Sequence, residues 1–160
     1  MFKNIFKRQP RQELHAAQTE PIFPIANFSC GQIETKAGIG IAIVNKAYDA
    51  YPNKKDYPWC AQVLIEFKDK NENGHPTDEE ANVLNDLEDR FEKFLKRKHT
   101  VHFIGRVTRS DFRDLLFYIN HPIFDPEETK QFMDEINAVR SINFSLDKDE
   151  TWDFVSDLIR

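Results

Sequence analysis

The sequence predicts a two-layer α+β domain, and three features of the chain carry that expectation. Runs of alternating β-branched and aromatic residues recur along it. Two capped amphipathic helices interrupt those runs. The order of elements from Trp59 onward is β-α-β-β-α-β, the split βαβ arrangement. The chain has 160 residues, 14 of them Phe, and 40% hydrophobic residues. That length suits one domain able to bury a core without a disulfide framework, and Cys30 and Cys60 could not supply one.

The amino end differs from the rest. Lys3, Lys7, Arg8 and Arg11 stand there with only Met1, Phe2, Ile5 and Phe6 as apolar company. A secretory signal needs an apolar stretch of roughly 7–15 residues after its charges. None follows, so the expected location is cytoplasmic. Phe2, Ile5 and Phe6 have i, i+3, i+4 spacing, which suits a membrane-surface helix or a short cap packed on the domain. Pro21 and Pro24 exclude a continuous helix after that. Residues 1–31 are therefore read as a basic segment with an extended lead-in, and residues 32–160 as a single α+β domain.

In that domain Ile39, Ile41 and Ile43 alternate with Gly38, Gly40 and Ala42. Strict period 2 predicts a strand with a packed isoleucine face and a small face that a neighbour or ligand approaches closely. Pro52 and Asn53 mark a loop, and Trp59 to Phe67 is the next strand. Thr77, with Glu80 three residues on, is a capping-box start. Leu84, Leu87, Phe91, Phe94 and Leu95 then recur at helical spacing, so a helix is expected over 77–98. Lys93, Lys96, Arg97 and Lys98 at its end suit the helix dipole. Thr100 to Thr108 and Phe112 to Asn120 read as an antiparallel hairpin across Arg109-Ser110-Asp111. Asp125 caps a second helix with Pro126 at its tolerant first position, and Phe132, Ile136 and Val139 form the buried stripe. Ile142 to Leu146 is a short last strand. A closing helix puts Trp152, Val155 and Ile159 on one face. The expected architecture is ferredoxin-like (split βαββαβ), with an extra N-terminal strand and a C-terminal helix. An exposed sheet edge at the first or last strand could pair two copies into a homodimer.

Three pieces of the chain carry a resemblance. One is Asn73-Gly74-His75-Pro76-Thr77-Asp78-Glu79-Glu80, continuing to Leu84-Asn85-Asp86-Leu87-Glu88-Asp89. The second is Ile104-Gly105-Arg106-Val107-Thr108, followed by Arg113 and Phe117-Tyr118. The third is Trp152 in the closing segment. In this order they resemble the uncharacterised bacterial family called domain of unknown function 695, over roughly residues 32–160. The family often has Gly in the hairpin turn where this chain has Ser110-Asp111. The resemblance implies no assigned activity. Some members look fused to a domain similar to the regulator of ribonuclease E, which implies regulation by protein binding.

Several chemistries find little support. The chain has no Cys-x2-Cys pair and no His-Glu-x-x-His, so no metal or cofactor is expected. His99 and His102 should point to opposite faces of an extended strand, and the histidines read as surface or half-buried groups. There is no Gly-x-Ser-x-Gly, and Gly38-Ile39-Gly40 is too short for a dinucleotide fingerprint. The longest apolar run, Ile39 to Val44, is far too short to span a bilayer. The net charge is −5, which counts against nucleic-acid binding.

Two clusters remain. Arg106, Thr108, Arg109 and Arg113 surround the hairpin, with Tyr118 a candidate for the same face. They read as an anion or partner site, or as guanidinium groups paired internally with Glu66 or another acid. Asp78, Glu79, Asp86, Glu88 and Asp89, beside Glu80, form an acidic surface on the first long helix. Asp147, Asp149, Glu150 and Asp153 make a second acidic run. Acidic surfaces capture basic proteins. The expected function is a non-enzymatic, protein-binding regulator or immunity-type inhibitor acting on a basic partner. The alternative is a small-anion-binding protein or enzyme using the arginine hairpin.

Overall fold

The computed structural model describes residues 22–160. The expectations for the basic segment around Phe2, Ile5 and Phe6 lie outside the described residues. The strands are β1 (Phe28–Thr35), β2 (Gly38–Asn45), β3 (Trp59–Glu66), β4 (Val101–Arg109), β5 (Phe112–Ile119) and β6 (Ile142–Lys148). Among the described residues, two long helices, α1 (Asp78–Lys96) and α2 (Pro126–Asn137), a short α3 (Ser156–Ile159) and three 3-10 turns accompany the strands.

One six-stranded sheet has the order β1-β2-β4-β5-β3-β6, and every pairing is antiparallel. α1 joins β3 to β4, and β5 lies between those two strands. Both long helices start where their caps predict. Thr77 Oγ1 accepts the Glu80 N–H at 3.3 Å, and Asp125 Oδ1 accepts the Glu128 N–H at 2.8 Å.

The sheet is covered on both faces. On one, Leu84, Leu87, Phe91 and Leu95 of α1, with Phe132 and Ile136 of α2, pack on Val63, Ile65, Leu115, Phe117 and Ile119. On the other, Ala42, Val44, Ile104, Leu116 and Tyr118 pack under Tyr48, Tyr51, Trp152, Val155 and Ile159. This second core explains why Leu115 to Ile119 is apolar without alternation: β5 is buried on both sides.

Three elements differ from expectation. The N-terminal strand is a hairpin of two, because β1 pairs with β2 along its whole length from Phe28. The faces of β2 are reversed. Ala42 and Val44 are buried while Ile39 is 60% exposed, because the closing segment covers the small face and no long helix reaches the isoleucines. The closing helix is broken. Trp152 adopts a left-handed backbone at φ 60°, and helix geometry starts only after it. That turn puts the Trp152 ring in the second core, where its Nε1 donates to the carbonyls of Tyr57 at 2.9 Å and Lys54 at 3.1 Å.

Candidate functional site

A bulge decides how the arginine hairpin is arranged. The β4–β5 register shifts between Phe103 and Gly105. Before it, His102 and Ile104 face the second core. After it, Arg106 and Thr108 turn towards α1. Gly105 has φ 156°, and a Cβ there would drive into the carbonyl oxygen of Ile43 on β2.

Thr108 and Arg113 face each other across the hairpin. Arg113 donates from Nε to Thr108 Oγ1 at 3.0 Å and from Nη1 to Asn85 Oδ1 at 2.9 Å. Arg106 Nη1 donates to both Glu88 oxygens, at 3.0 and 3.1 Å. Arg106, Thr108 and Arg113 are thus brought together, and Asn85 and Glu88 of α1 close the network. Burial, followed by the nearby Arg106 charge, pushes the Arg113 pKa down to about 10, which leaves it charged at neutral pH.

The other two members lie elsewhere. Arg109 is on the opposite face, 3.2 Å from Asp114 and 5.1 Å over the Phe112 ring. Tyr118 is also on that face, stacked on Trp152 at 4.1 Å, and its hydroxyl donates to Asp149 Oδ2 at 2.6 Å. Side chains on one strand alternate, so Arg113 and Tyr118 could not share a face. The Ser110-Asp111 turn needs no glycine: Asp111 takes φ 70°, which aspartate tolerates, and pairs with Lys70.

The acids of α1 divide. Asp78, Glu79, Asp86 and Asp89 are exposed, as an interaction surface requires. Glu88 turns inward to Arg106 and Glu80 is buried against Arg140, so neither contributes to that surface.

The second acidic run builds a concave site. Cys60 and Gln62 of β3, Asp147 and Lys148 of β6, and Asp149, Asp153 and Phe154 of the closing segment line a cleft of about 500 Å³. Asp149 is its hinge. Its carboxylate accepts the Tyr118 hydroxyl and the N–H groups of Asp153 and Phe154, each at 3.0 Å. Burial acts to raise the Asp149 pKa, but these hydrogen bonds outweigh it and hold the carboxyl below its usual range. Burial pushes the Cys60 thiol up to about 11, so it is protonated and not nucleophilic at neutral pH. Lys148 is occupied by Glu150 at 2.6 Å. The acids were visible in the sequence. Their concavity was not, since it depends on the left-handed Trp152 turn folding the closing segment beside β6.

Sequence reasoning also missed two of the histidines. His75 and His121 are half-buried, within the expected surface or half-buried placement, but His99 and His102 are buried. His102 sits among Phe23, Tyr48, Tyr51, Tyr57 and Trp152, with Tyr57 at 4.1 Å between ring centres. Its Nδ1 is 3.1 Å from the Tyr48 hydroxyl, and its Nε2 is buried without a partner. Burial pushes its pKa down to about 4.

Among the described residues, no helix is long and apolar enough to cross a membrane. Neither the curated proteins nor the solved structures yield a match. A family model described as a family of unknown function (DUF695) matches residues 32–159, the stretch holding both the arginine hairpin and the acidic cleft. The chain belongs to that family.

Proposed function

We propose that this is a non-enzymatic cytoplasmic protein-binding module, a regulator or immunity-type inhibitor, which takes a basic partner through its acidic surface. The observation that carries the reading is the cleft. Asp147, Asp149 and Asp153 gather round one concavity, and Phe154, 58% exposed, forms its lip. A lysine or arginine side chain entering there meets carboxylates and an aromatic face together. Asp78, Glu79, Asp86 and Asp89 lie on the helical side of the sheet. They add long-range attraction that speeds capture without fixing the docked geometry. We further infer that the fold is of the ferredoxin-like type, supported by β5 lying between β3 and β4 and by both long helices on one face.

The arginine hairpin takes second place as an anion site. Arg106 and Arg109 already hold carboxylates, and Arg113 is directed inward to Thr108 and Asn85.

NMR titration tests the reading, with a short arginine- and lysine-rich peptide as probe. Shifts should centre on Asp147, Asp153 and Phe154 and fade as salt rises. Shifts confined to α1, or none at low salt, would overturn it.

A further inference from the structure

β1 is one edge of the sheet, and among the described residues no strand pairs with its outer side. Its ladder with β2 runs without a bulge from Phe28 to Thr35. A long, regular edge is a template for another strand. Proteins ordinarily guard such edges with lysine, proline, bulges or inward charges. β1 reads Phe28-Ser29-Cys30-Gly31-Gln32-Ile33-Glu34-Thr35, with no lysine and no proline. The opposite edge, β6, ends in the charged pair Asp147-Lys148 beside the acidic cleft.

The side chains on this hairpin point the same way. Among the described residues neither long helix draws a β1 or β2 residue into its core, so the isoleucine face is only partly covered: Ile41 and Ile43 are half-buried and Ile39 is exposed. Phe28 is 52% exposed and Ile39 60% exposed on that face. Apolar groups left open on one side of an open edge mark an interaction surface.

Charge identifies the occupant. The molecule carries −5 overall, so two copies repel wherever carboxylates gather, on α1 and at the cleft. The β1–β2 hairpin carries only Glu34 and Lys36, of opposite sign. A second copy can approach there without like-charge cost. Antiparallel pairing of a strand with its own copy is also self-complementary, as a two-fold interface requires.

We propose that two copies of this chain pair antiparallel through β1, about a two-fold axis normal to the sheet. The sheet then continues from one copy into the other, and the two isoleucine faces lie side by side. This interface is independent of the acidic cleft, which stays open at the opposite edge.

The cysteines supply the test. Cys30 is exposed and Cys60 is buried, so a thiol-reactive nitroxide labels Cys30 selectively in the native full-length chain. Pairing centred anywhere between Cys30 and Ile33 puts the two Cys30 backbones about 5–20 Å apart, from the strand rise and spacing. Sedimentation should show a dimer, and spin–spin coupling should fall in that range. Gln32→Lys, an exposed change that plants a like-charge pair on the edge, should weaken association at least tenfold. A dimer with the labels beyond about 25 Å, or one indifferent to Gln32→Lys, overturns the proposal. A monomer overturns it too. An immobilised label would then assign the edge to the chain's own amino-terminal segment, and a mobile one would leave it to a different protein.

Discussion

Buried Glu80 and half-buried Arg140 form a two-pronged ion pair, with Nε at 2.7 Å from Oε1 and Nη2 at 2.6 Å from Oε2. Glu80 is 1% exposed, and its Oε1 also accepts the Lys68 N–H at 3.1 Å. The pair ties the first turn of α1 to the short connection between α2 and β6. Removing Arg140 strands the Glu80 carboxylate in the interior, which costs about 3–5 kcal/mol. Arg140→Ala should show that loss in urea unfolding, and a cost under about 1 kcal/mol would mean the pair behaves like a surface bridge. The hydrogen bonds from Arg140 outweigh burial and hold the Glu80 pKa below its ordinary 4.5. Its contribution is therefore complete above 4.5 and lost as the pH falls through the lowered folded value. Glu80→Gln should flatten the acid limb of the stability curve.

His102 acts in a higher pH window. Its pKa falls from 6.5 to about 4 on folding, so the unfolded chain binds the extra proton first. Stability from the neutral ring is complete above 6.5 and declines as the pH falls towards 4. The shift corresponds to about 3 kcal/mol over that interval. Unfolding free energies measured across it should slope in the wild type. They should flatten in the double variant Tyr48→Phe, His102→Phe, which removes both members of the buried hydrogen bond. Equal slopes would show that other groups carry the dependence.

How much of this was legible follows from where the information lies. Thr77 and Asp125 announced the helix starts because a cap is a local contact between residues three apart. That Arg113 could sit across from Arg106 and Thr108 was legible from a short turn and strand alternation, while the exact Thr108–Arg113 register was set by Arg109 joining β4. The second core did not. Its closing segment buries Trp152, Val155 and Ile159, and helical spacing was a fair reading of those positions. The left-handed residue that breaks the helix is set by packing of the indole against Tyr118 and the carbonyls of Lys54 and Tyr57. The same covering reversed the faces of β2, since period 2 locates two faces without saying which one is covered.

The bulge gives a contrast between two glycines. Gly105 combines φ 156° with backbone of β2 where its Cβ would go, whereas nothing lies within 4 Å of a Cβ at Gly31. Gly105→Ala should cost more than about 2 kcal/mol and disturb the orientation of Arg106. Gly31→Ala should stay within about 0.5 kcal/mol. Thermal melts of the two variants check this, and similar melting temperatures would contradict the assigned bulge.

The arginine hairpin should report structure before binding. Arg113 is 5% exposed, and its loss strands Asn85 and Thr108. Arg113→Ala should cost about 2–3 kcal/mol. Arg109→Ala, at a half-buried pair, should cost less. Phosphate should leave the melting temperature of the wild type unchanged, because a ligand raises it only by binding the native state. A phosphate-dependent rise abolished by Arg113→Ala would restore the anion-binding reading.

A salt-graded pull-down from the native host tests the acidic cleft most directly, with the wild type and an Asp147→Asn, Asp153→Asn double variant run side by side. Both substituted carboxylates are exposed, and Asp149, which holds the local fold, is left intact. The expected result is a basic protein, retained in stoichiometric amount by the wild type, released at moderate salt and lost from the double variant. No stoichiometric partner, or one held equally by both proteins, would contradict the assignment.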